Sequence, residues 1–553
     1  MSTPSPSSVP SASSGQAKPA AYDAVVLGGG HNGLVTGAYL AAAGLKTLIL
    51  EKNDRIGGAA LTEEFAPGFR NSVAAYTVSL LNIKVIVDLE LETYGLQIVE
   101  RPAANFWPVD QRRGLLMPYG IDGRKSAIAQ FSEHDAGRLS DYDRALEHGA
   151  LVVRDLLLRT PPNAKGGVMS VFRGLELGRD LIRMPVADQR RLLDLFTMSA
   201  SDFLGQWFES DVVKGALAFD SIVGAYAAPS TPGTAYVLLH HAFGETNGKS
   251  GVWGHAIGGM GAISEALGRA ARARGATIRA GATVAGVLVE AGRAAGVVLD
   301  TGEEIRAKVV ASNVAPKLLF SKLLPEGAVE PELRRHFTGM KTGSGTFRMN
   351  VALGELPDFT CRPGKDKQVH HGSGIVIGPT LDYLERAYFD ARMTGWSQQP
   401  VVEMLIPSTI DPTLAPEGQH VASLFVQHVA PHLPDGRTWA NAHEKEAFAD
   451  LVIDTVTSHA PNFKRAVMAR QVLSPLDLEQ RFGMPDGDIF HGQLTLDQLY
   501  SARPVLGHAD YRMPVPALYL CGAGAHPGGG VTGVPGHNAA REIIRDFKKR
   551  RWR

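Results

Sequence analysis

The stretch DAVVLGGGHNG at residues 23–33 joins a short apolar run to a cluster of glycines. The run Ala24–Leu27 is typical of a strand that is buried on both faces within a parallel sheet. Apolar residues then recur at helical spacing over Leu34–Ala42, and Gly44 ends that helix. Because Thr47–Leu50 predicts a second strand, the ordered part of the chain begins as strand, turn, helix and strand.

The glycines of this turn have the spacing of a dinucleotide-binding loop. Gly28 permits a tight turn, Gly30 lets the backbone approach a pyrophosphate, and Gly33 lets the helix pack closely on the strand. The helix N-terminus adds N–H donors and a partial positive charge. Glu51 closes the second strand, where its carboxylate is placed to accept hydrogen bonds from an adenosine ribose. An acid at this position disfavours a 2′-phosphate, so NADP is not expected here.

A second glycine-containing element, Arg55–Gly58 followed by Thr62, comes just after Glu51 and favours FAD over NAD. It resembles the R-x-G-G-x-x-x-[ST] element of the FAD-binding amine oxidase and phytoene desaturase superfamily. Ala59 stands where many members of that superfamily have a second arginine. The resemblance therefore implies FAD as the cofactor, bound without the contact that this arginine makes.

The resemblance covers almost the whole chain after Tyr22. Within the superfamily it is closest to the branch called pyridine nucleotide-disulfide oxidoreductase domain-containing protein 2. The stretches that carry it are Ala59–Gly68, Gln206–Ser210, Val237–His241, Gly258–Gly261, Ala311–Asn313, Ile406–Gly418, Asp497–Tyr500 and Cys521–Gly533. It implies an α/β fold, in which a Rossmann-like FAD-binding domain of the GR2 type carries an inserted, mixed α+β substrate domain.

The resemblance and the changes in periodicity divide the chain into six segments. These are a disordered tail at 1–21, FAD-binding segments at 22–105, 255–315 and 505–553, a helical substrate segment at 106–254 and a mixed substrate segment at 316–504. The residues expected to bind FAD are Gly28, Gly29, Gly30, His31, Asn32, Gly33, Glu51, Lys52, Arg55, Gly57, Gly58, Ala59, Thr62, Val284, Gly522, Gly524, Gly533 and Val534.

Periodicity predicts further elements within these segments. The expected helices include Asp141–Leu158, Asp188–Phe203, Ala262–Ala273 and Asn538–Lys549. The expected short strands include Ala276–Arg279, Val284–Val289, Ala294–Leu299, Glu304–Arg306, Val309–Ala311 and Leu518–Leu520.

Charge and cysteine content exclude several classes of protein. The 553 residues include 56 Lys and Arg and 56 Asp and Glu, so the formal net charge is zero, which argues against a general nucleic-acid binder. Cys361 and Cys521 lie far apart, so the redox dithiol of a pyridine nucleotide–disulfide reductase is absent. The sequence Gly528–Gly533 contains a second Gly-x-Gly-x-x-Gly, but it lies well past its nearest strand, and a second bound nucleotide is not predicted.

No apolar run reaches the roughly 18 residues that a membrane-spanning helix needs. Residues Met1–Ala20 are rich in Ser, Pro and Ala and lack the pattern of a secretory signal. The cationic run Lys548–Arg553 leaves contact with an anionic membrane as a less favoured alternative. We expect a cytoplasmic protein, or a mitochondrial one if the source is eukaryotic.

Three histidines are the candidates for proton transfer beside a flavin. His526 lies in the expected flavin loop, His255 comes just before Gly258, and His491 follows Phe490. A histidine whose pKa is near neutrality moves protons at physiological pH, whereas the alternative is that each ring only hydrogen-bonds its own loop. Metal binding is not predicted at any of the histidine pairs.

These observations predict an FAD-dependent oxidoreductase, a dehydrogenase or desaturase, that acts on a partly apolar organic molecule and passes electrons to oxygen or a quinone. Trp207, Phe208 and Trp253 either line an apolar channel or belong to the core. Three alternatives stay open: a carotenoid or isoprenoid desaturase, a hydratase of a small unsaturated acid that keeps its flavin reduced, and a flavin-binding regulatory protein without catalysis.

Overall fold

The computed structural model describes residues 21–164, 167–364 and 366–549. Nearly all of the expected N-terminal tail and the end of the cationic C-terminal run lie outside these residues. The described strands are β1 (Tyr22–Leu27), β2 (Thr47–Leu50), β3 (Thr62–Ala66), β4 (Phe69–Ser72), β5 (Ile98–Glu100), β6 (Asn105–Pro108), β7 (Gly114–Met117), β8 (Glu245–Thr246), β9 (Lys249–Ser250), β10 (Gly254–Ala256), β11 (Thr277–Arg279), β12 (Val284–Glu290), β13 (Arg293–Leu299), β14 (Glu304–Ser312), β15 (Phe347–Leu353), β16 (Gly374–Ile377), β17 (Trp396–Leu405), β18 (His420–Val429), β19 (Val467–Leu473) and β20 (Leu518–Leu520).

The described helices range from a single turn to seven turns. They are α1 (His31–Ala42), α2 (Ile83–Asp88), α3 (Ile121–Ala129), α4 (Glu133–Leu157), α5 (Gly167–Arg183), α6 (Val186–Thr197), α7 (Ala200–Gly205), α8 (Asp211–Ala218), α9 (Thr234–Ala242), α10 (Gly261–Ala273), α11 (Pro316–Leu318), α12 (Pro331–Thr338), α13 (Leu381–Thr394), α14 (Ala442–His459), α15 (Phe463–Ala466), α16 (Pro475–Phe482) and α17 (Val534–Lys548).

The first large sheet contains the strands that flank the glycine loop. Its parallel strands lie in the order β11–β2–β1–β14, and β20 lies parallel to the end of β14. β12 and β13 add an antiparallel meander to the other half of β14. The whole of β2 and the last four residues of β1 are buried, as expected for strands covered on both faces. The predicted fold class, α/β with a Rossmann-like domain, is confirmed.

Helix α1 is buried between other helices on this sheet. It contacts both α10 and α17. A Cβ at Gly37 would lie 2.3 Å from Cδ1 of Ile49 on β2, and one at Gly536 on α17 would lie 2.3 Å from the carbonyl oxygen of Asn32, so the packing of α1 on β2 and on α17 depends on glycine. Because α1 directly follows β1, its N-terminus lies at the carboxyl edge of the sheet, where α/β folds of this kind bind their ligands.

The second large sheet has the order β19–β15–β18–β17–β16–β6–β7. Its neighbours run antiparallel, except that β6 and β16 run parallel. One apolar cluster packs this sheet against α14, and another joins it to the helices between α3 and α9. The sheet therefore combines strands from before and after the first sheet's meander, and the six-segment division of the chain stays a prediction.

Several expected elements have different bounds in the structure. The helix expected over Asp141–Leu158 is α4, which begins at Glu133. Asp188–Phe203 is expected as one helix, but α6 ends at Thr197 and α7 begins at Ala200, because the hydroxyl of Ser199 caps α7 by accepting the N–H of Asp202. The last helix begins at Val534 rather than Asn538, since a proline fits the first turn of a helix. The strands expected at 304–306 and 309–311 form the single strand β14.

Candidate functional site

The loop between β1 and α1 is built from glycines that leave no room for side chains. Gly28 has a φ of +93°, which glycine adopts without strain. A Cβ at Gly33 would lie 2.0 Å from the carbonyl oxygen of Gly28, and one at Gly30 would lie 2.9 Å from Nδ2 of Asn313. The N-terminus of α1 therefore sits directly against the end of β1, and its first N–H groups are available to a ligand.

Glu51 is held beside this loop by hydrogen bonds from the backbone. Its side chain is buried, with 4% of the residue exposed. Its Oε2 accepts the N–H of Gly29 at 2.8 Å, while its Oε1 accepts both the N–H and the side-chain amide of Asn53 at 3.0 Å. Each carboxylate oxygen has more than one lone pair, so Glu51 retains capacity to accept hydrogen bonds from a ribose.

The second glycine element packs against the first. The N–H of Gly57 donates to the carbonyl oxygen of Gly29 at 2.9 Å. Gly58 has a φ of +56°, and a Cβ there would lie 3.2 Å from Cα of Gly30. Thr62 has another role, because its Oγ1 accepts the N–H of Gly261 at 2.9 Å and so caps α10. The two turns thus present backbone, rather than side chains, to the space beside α1.

A cavity begins at these turns and contains about 2060 Å³ of empty space, its open mouth included. It is lined by half of the residues expected to bind FAD, namely Gly28, Gly30, His31, Asn32, Glu51, Lys52, Gly58, Ala59 and Val284. The other half lie outside its lining, namely Gly29, Gly33, Arg55, Gly57, Thr62, Gly522, Gly524, Gly533 and Val534. Apart from the exposed Arg55, these are buried or close-packed positions that shape the loops around the cavity.

The C-terminal glycine loop reaches the cavity at positions that sequence reasoning missed. Gly529, Gly530 and Val531 line the cavity, while Gly522 and Gly524 do not. A Cβ at Gly529 would lie 2.3 Å from Cδ1 of Phe490, and one at Gly530 would lie 2.5 Å from Cδ1 of Leu80. The run of three consecutive glycines before Val531 was the available signal, because such a run permits close approach of backbone.

The helix N-terminus, the glycine turns and Glu51 fit a bound dinucleotide, and the cavity beyond them has room for a further ring system. The cavity is bordered by a helix N-terminus, by a buried carboxylate at the end of the second strand, and by two glycine turns whose backbone atoms are not covered by side chains. Nε2 of His31, in the first turn of α1, is buried and has no hydrogen-bond partner within the described ranges. A ligand beside α1 would satisfy this atom, and the cavity continues past Glu51 to Gly529, Gly530 and Val531, which leaves space for the flavin part of FAD.

His491 is the one candidate proton-transfer histidine that lines the cavity. Its Nδ1 is buried without a partner in the described part of the chain. Burial lowers the pKa of His491 to about 4, and the charge of Arg503 acts in the same direction. Burial likewise lowers the pKa of His31 to about 4, with a smaller contribution from His491. Both rings are therefore neutral at physiological pH and can hydrogen-bond a ligand, while a role for His491 in proton transfer stays a prediction.

His255 and His526 lie outside the cavity lining. On β10, Nε2 of His255 lies 3.0 Å from Oδ2 of Asp411, which also accepts the N–H of Gly258 at 2.7 Å. Nε2 of His526 lies 3.0 Å from the carbonyl oxygen of Leu156. Burial lowers the pKa of His526 to about 4. In this structure each ring hydrogen-bonds a neighbouring segment, and a role for either in proton transfer stays a prediction.

Another part of the cavity is lined by ionisable side chains that no sequence motif indicated. We call this part the chamber and define it by its lining residues Tyr76, Asn105, Asp220, Trp253, Glu403 and Phe425. The hydroxyl of Tyr76 donates to Oε2 of Glu403. Burial raises the pKa of Asp220 to about 7 despite the charge of Arg101. Burial also raises the pKa of Glu403, against the effects of Arg101 and the Tyr76 hydroxyl.

The three aromatic residues singled out in the sequence separate in the structure. Trp253 lines the chamber, with the guanidinium of Arg101 centred 5.4 Å from its ring. Trp207 and Phe208 pack within the apolar cluster of the helices between α3 and α9, so they belong to the core.

In the described residues, every helix is either too short or too polar to cross a membrane.

Known proteins resemble the chain at the level of both sequence and fold. Residues 26–84 match the family model of an NAD(P)-binding Rossmann-like domain. Pyridine nucleotide-disulfide oxidoreductase domain-containing protein 2 of Rattus norvegicus is 42% identical over 99% of this chain and 97% of its own length. A limonene dehydrogenase subunit of Castellaniella defragrans is 25% identical, with 96% of each chain covered.

The chain is also similar to a further curated protein in sequence and to a solved structure in fold. Phytoene desaturase (lycopene-forming) of Pseudescherichia vulneris is 25% identical over 92% of this chain and 96% of its own length. Among solved structures, wild-type putrescine oxidase bound to putrescine superimposes with a TM-score of 0.59 at 14% identity, covering 96% of this chain and 99% of that chain. At this low identity the structural likeness shows the fold alone.

Proposed function

The chain belongs to the family of pyridine nucleotide-disulfide oxidoreductase domain-containing protein 2, and on that premise we propose that it is an FAD-dependent oxidoreductase. The similarity expected from the sequence is thereby confirmed, and its named relatives are oxidoreductases. We assign it to the dehydrogenase or desaturase type, with a partly apolar organic molecule as its substrate and oxygen or a quinone as its electron acceptor. We place it in the cytoplasm, with the mitochondrion as the alternative.

The observation that carries this proposal is the continuity of one cavity from the glycine loop to the chamber. At the loop, the N-terminus of α1 and the carboxylate of Glu51 would hold the ADP part of FAD. Gly529 to Val531 and His491 would lie beside the rest of the cofactor. When bound, FAD supplies the capacity to accept two electrons and a hydrogen from an organic substrate.

The lining of the cavity supports a substrate that is apolar over most of its surface. Phe219, Val223, Phe425, Ile489 and Phe490 contribute apolar surface to it. Pockets of this kind bind ligands mainly by apolar contact and orient them by a few polar groups. Relatives named for the dehydrogenation of limonene and the desaturation of phytoene are compatible with such a substrate.

The test begins with the purified protein supplied with excess FAD. We expect a yellow protein that releases FAD on denaturation, and a panel of partly apolar alcohols, amines and alkenes should then contain a compound that bleaches the flavin without oxygen. A protein that stays colourless would contradict the cofactor. A flavin that no member of the panel reduces would favour a binding protein over an enzyme.

A further inference from the structure

Asp220 is the carboxyl of the chamber that has no hydrogen-bond partner among the described residues. It lies in a single turn, residues 219–221, that follows α8. Phe219 and Ile222 are buried in the core on either side, and the hydroxyl of Ser221 donates to the carbonyl oxygen of Ala218 at 2.6 Å. These contacts fix the turn while leaving the Asp220 side chain on the cavity wall.

The second large sheet places a fixed row of side chains opposite this turn. Arg348 on β15 pairs with Phe425 on β18, which pairs with Glu403 on β17, so the three lie side by side on one face. Tyr76 covers the row, because its ring stacks on Phe425 at 5.2 Å and its hydroxyl donates to Glu403. The guanidinium of Arg348 lies 4.5 Å from the centre of the Tyr76 ring. Glu403 therefore has a protein partner, whereas Asp220 does not.

A buried arginine lies close enough to the chamber to act on Asp220, although it is not among the residues that line the cavity. Arg101 is 5% exposed, and its Nη2 donates to Oγ1 of Thr77. Its Nη1 has no partner within the residues that the structure describes. A Cβ built on Gly374 would lie 3.1 Å from both this Nη1 and Oε1 of Glu403, and 2.2 Å from Oδ1 of Asn105, so the three groups converge above that glycine.

Charged groups from three separate segments act on Asp220 or on its neighbour Glu403. The charge of Arg101 lowers the pKa of Asp220, and Glu403 is the neighbouring carboxyl. The charge of Arg348 lowers the pKa of Glu403. His241 on α9 is held against the backbone of Asp220, and burial lowers the pKa of its ring. Burial raises the pKa of Asp220 to about 7, so this carboxyl changes its protonation state near neutral pH, which the rings of His31, His491 and His526 do not.

We propose that Asp220 exchanges a proton with the substrate, and that the polar group of this substrate is a hydroxyl or carbonyl group on an otherwise apolar molecule. This proposal rests on the proposed function, which supplies the flavin as oxidant. When an alcohol becomes a carbonyl compound, its O–H bond breaks and the proton forms a bond with a carboxylate oxygen of Asp220. The C–H bond on the same carbon breaks, and its hydrogen leaves to the oxidant together with the two bonding electrons. Asp220 must be deprotonated to accept the proton.

The charges in and around the chamber favour a substrate whose polar group is uncharged. Arg101 and Arg348 carry two positive charges, and Asp220 and Glu403 offset them by at most two negative charges. When both carboxyls are ionised these four charges cancel, so an ammonium or a carboxylate group on the substrate would bring an uncompensated charge into a buried site, which is unfavourable. A hydroxyl can donate to Asp220 without bringing a charge of its own.

Binding by the FAD-loaded protein provides the test, with three probes of equal chain length: 1-octanol, octylamine and octanoate. The fluorescence of Trp253, identified by Trp253→Phe, reports binding in the chamber. We expect 1-octanol to bind at least about tenfold more tightly than the two charged probes. Asp220→Asn should weaken 1-octanol binding by about tenfold. Asp211→Asn, an exposed aspartate on α8, is the matched control and should change nothing.

A second readout follows the proton directly. The difference between the infrared spectra of the wild-type protein and Asp220→Asn should contain one protonated-carboxyl band, and this band should disappear as the pH rises through about 7. Tighter binding of octylamine or octanoate would overturn the substrate class, and this result needs no variant. An unchanged infrared titration in Asp220→Asn would overturn the role of Asp220. Loss of FAD from the wild-type protein would contradict the proposed function, while both readouts of the chamber would still be measurable.

Discussion

The glycine loop and the chamber belong to one cavity but are built in opposite ways. The loop uses backbone atoms from neighbouring residues, and the buried carboxylate of Glu51 accepts the N–H of Gly29. The chamber uses side chains from segments that are far apart, since Tyr76 and Glu403 are separated by 327 positions. A cofactor shared by many proteins can be recognised by backbone, whereas a particular substrate needs side chains that are specific to one chain.

The largest effect is expected from filling the loop, through Gly33→Ala. The new Cβ would lie 2.0 Å from the carbonyl oxygen of Gly28, so α1 must move away from β1. We expect a loss of about 3 kcal/mol in the free energy of unfolding, together with a loss of FAD binding. Urea unfolding and the absorbance of bound FAD measure the two effects.

The matched control for this change is Gly174→Ala, in the middle of α5. A Cβ there meets nothing within 4 Å, and alanine is a better helix former than glycine, so stability should stay equal or rise by up to about 1 kcal/mol. If the two variants unfolded at the same urea concentration, the close contact between α1 and β1 would not be essential.

A smaller effect is expected in the chamber, from Tyr76→Phe. This change removes the hydroxyl that donates to Glu403 and should cost about 1 kcal/mol of unfolding free energy, with FAD affinity unchanged. Tyr383→Phe is the control. The hydroxyl of Tyr383 donates to the carbonyl oxygen of Pro400 at a distance of 3.0 Å, and neither residue lines the cavity. Weaker FAD binding in the Tyr76 variant alone would show that the two regions are coupled.

The smallest effect is expected from pH on FAD binding. The pKa values of His31 and His491 are lowered to about 4, so both rings stay neutral above about pH 6. Protonation would add positive charge beside α1 only at lower pH and would then raise the affinity for an anion. Equilibrium titrations between about pH 6 and 8 should therefore give one dissociation constant. A change in affinity near pH 7 would mean that a titrating group reaches the cofactor.

The contrast between the two regions also explains how much the sequence could predict. The first two strands, α1 and Glu51 follow from periodicity and spacing over about 30 residues, where local geometry decides the outcome. His526 is close to the C-terminal glycine run Gly528–Gly530 in sequence, yet its ring turns to Leu156 on α4. The register that places Arg348, Phe425 and Glu403 in one row is set by pairing between distant strands, which periodicity within one strand does not specify.

The central claim is that FAD binds beside α1 with its adenosine ribose on Glu51. The most direct measurement is the FAD dissociation constant of the wild-type protein and of Glu51→Ala, with the exposed Glu265→Ala on α10 as control. A lost hydrogen bond to a charged group predicts roughly 10- to 100-fold weaker binding for Glu51→Ala, and no change for Glu265→Ala. Equal affinities for all three proteins would contradict the claim.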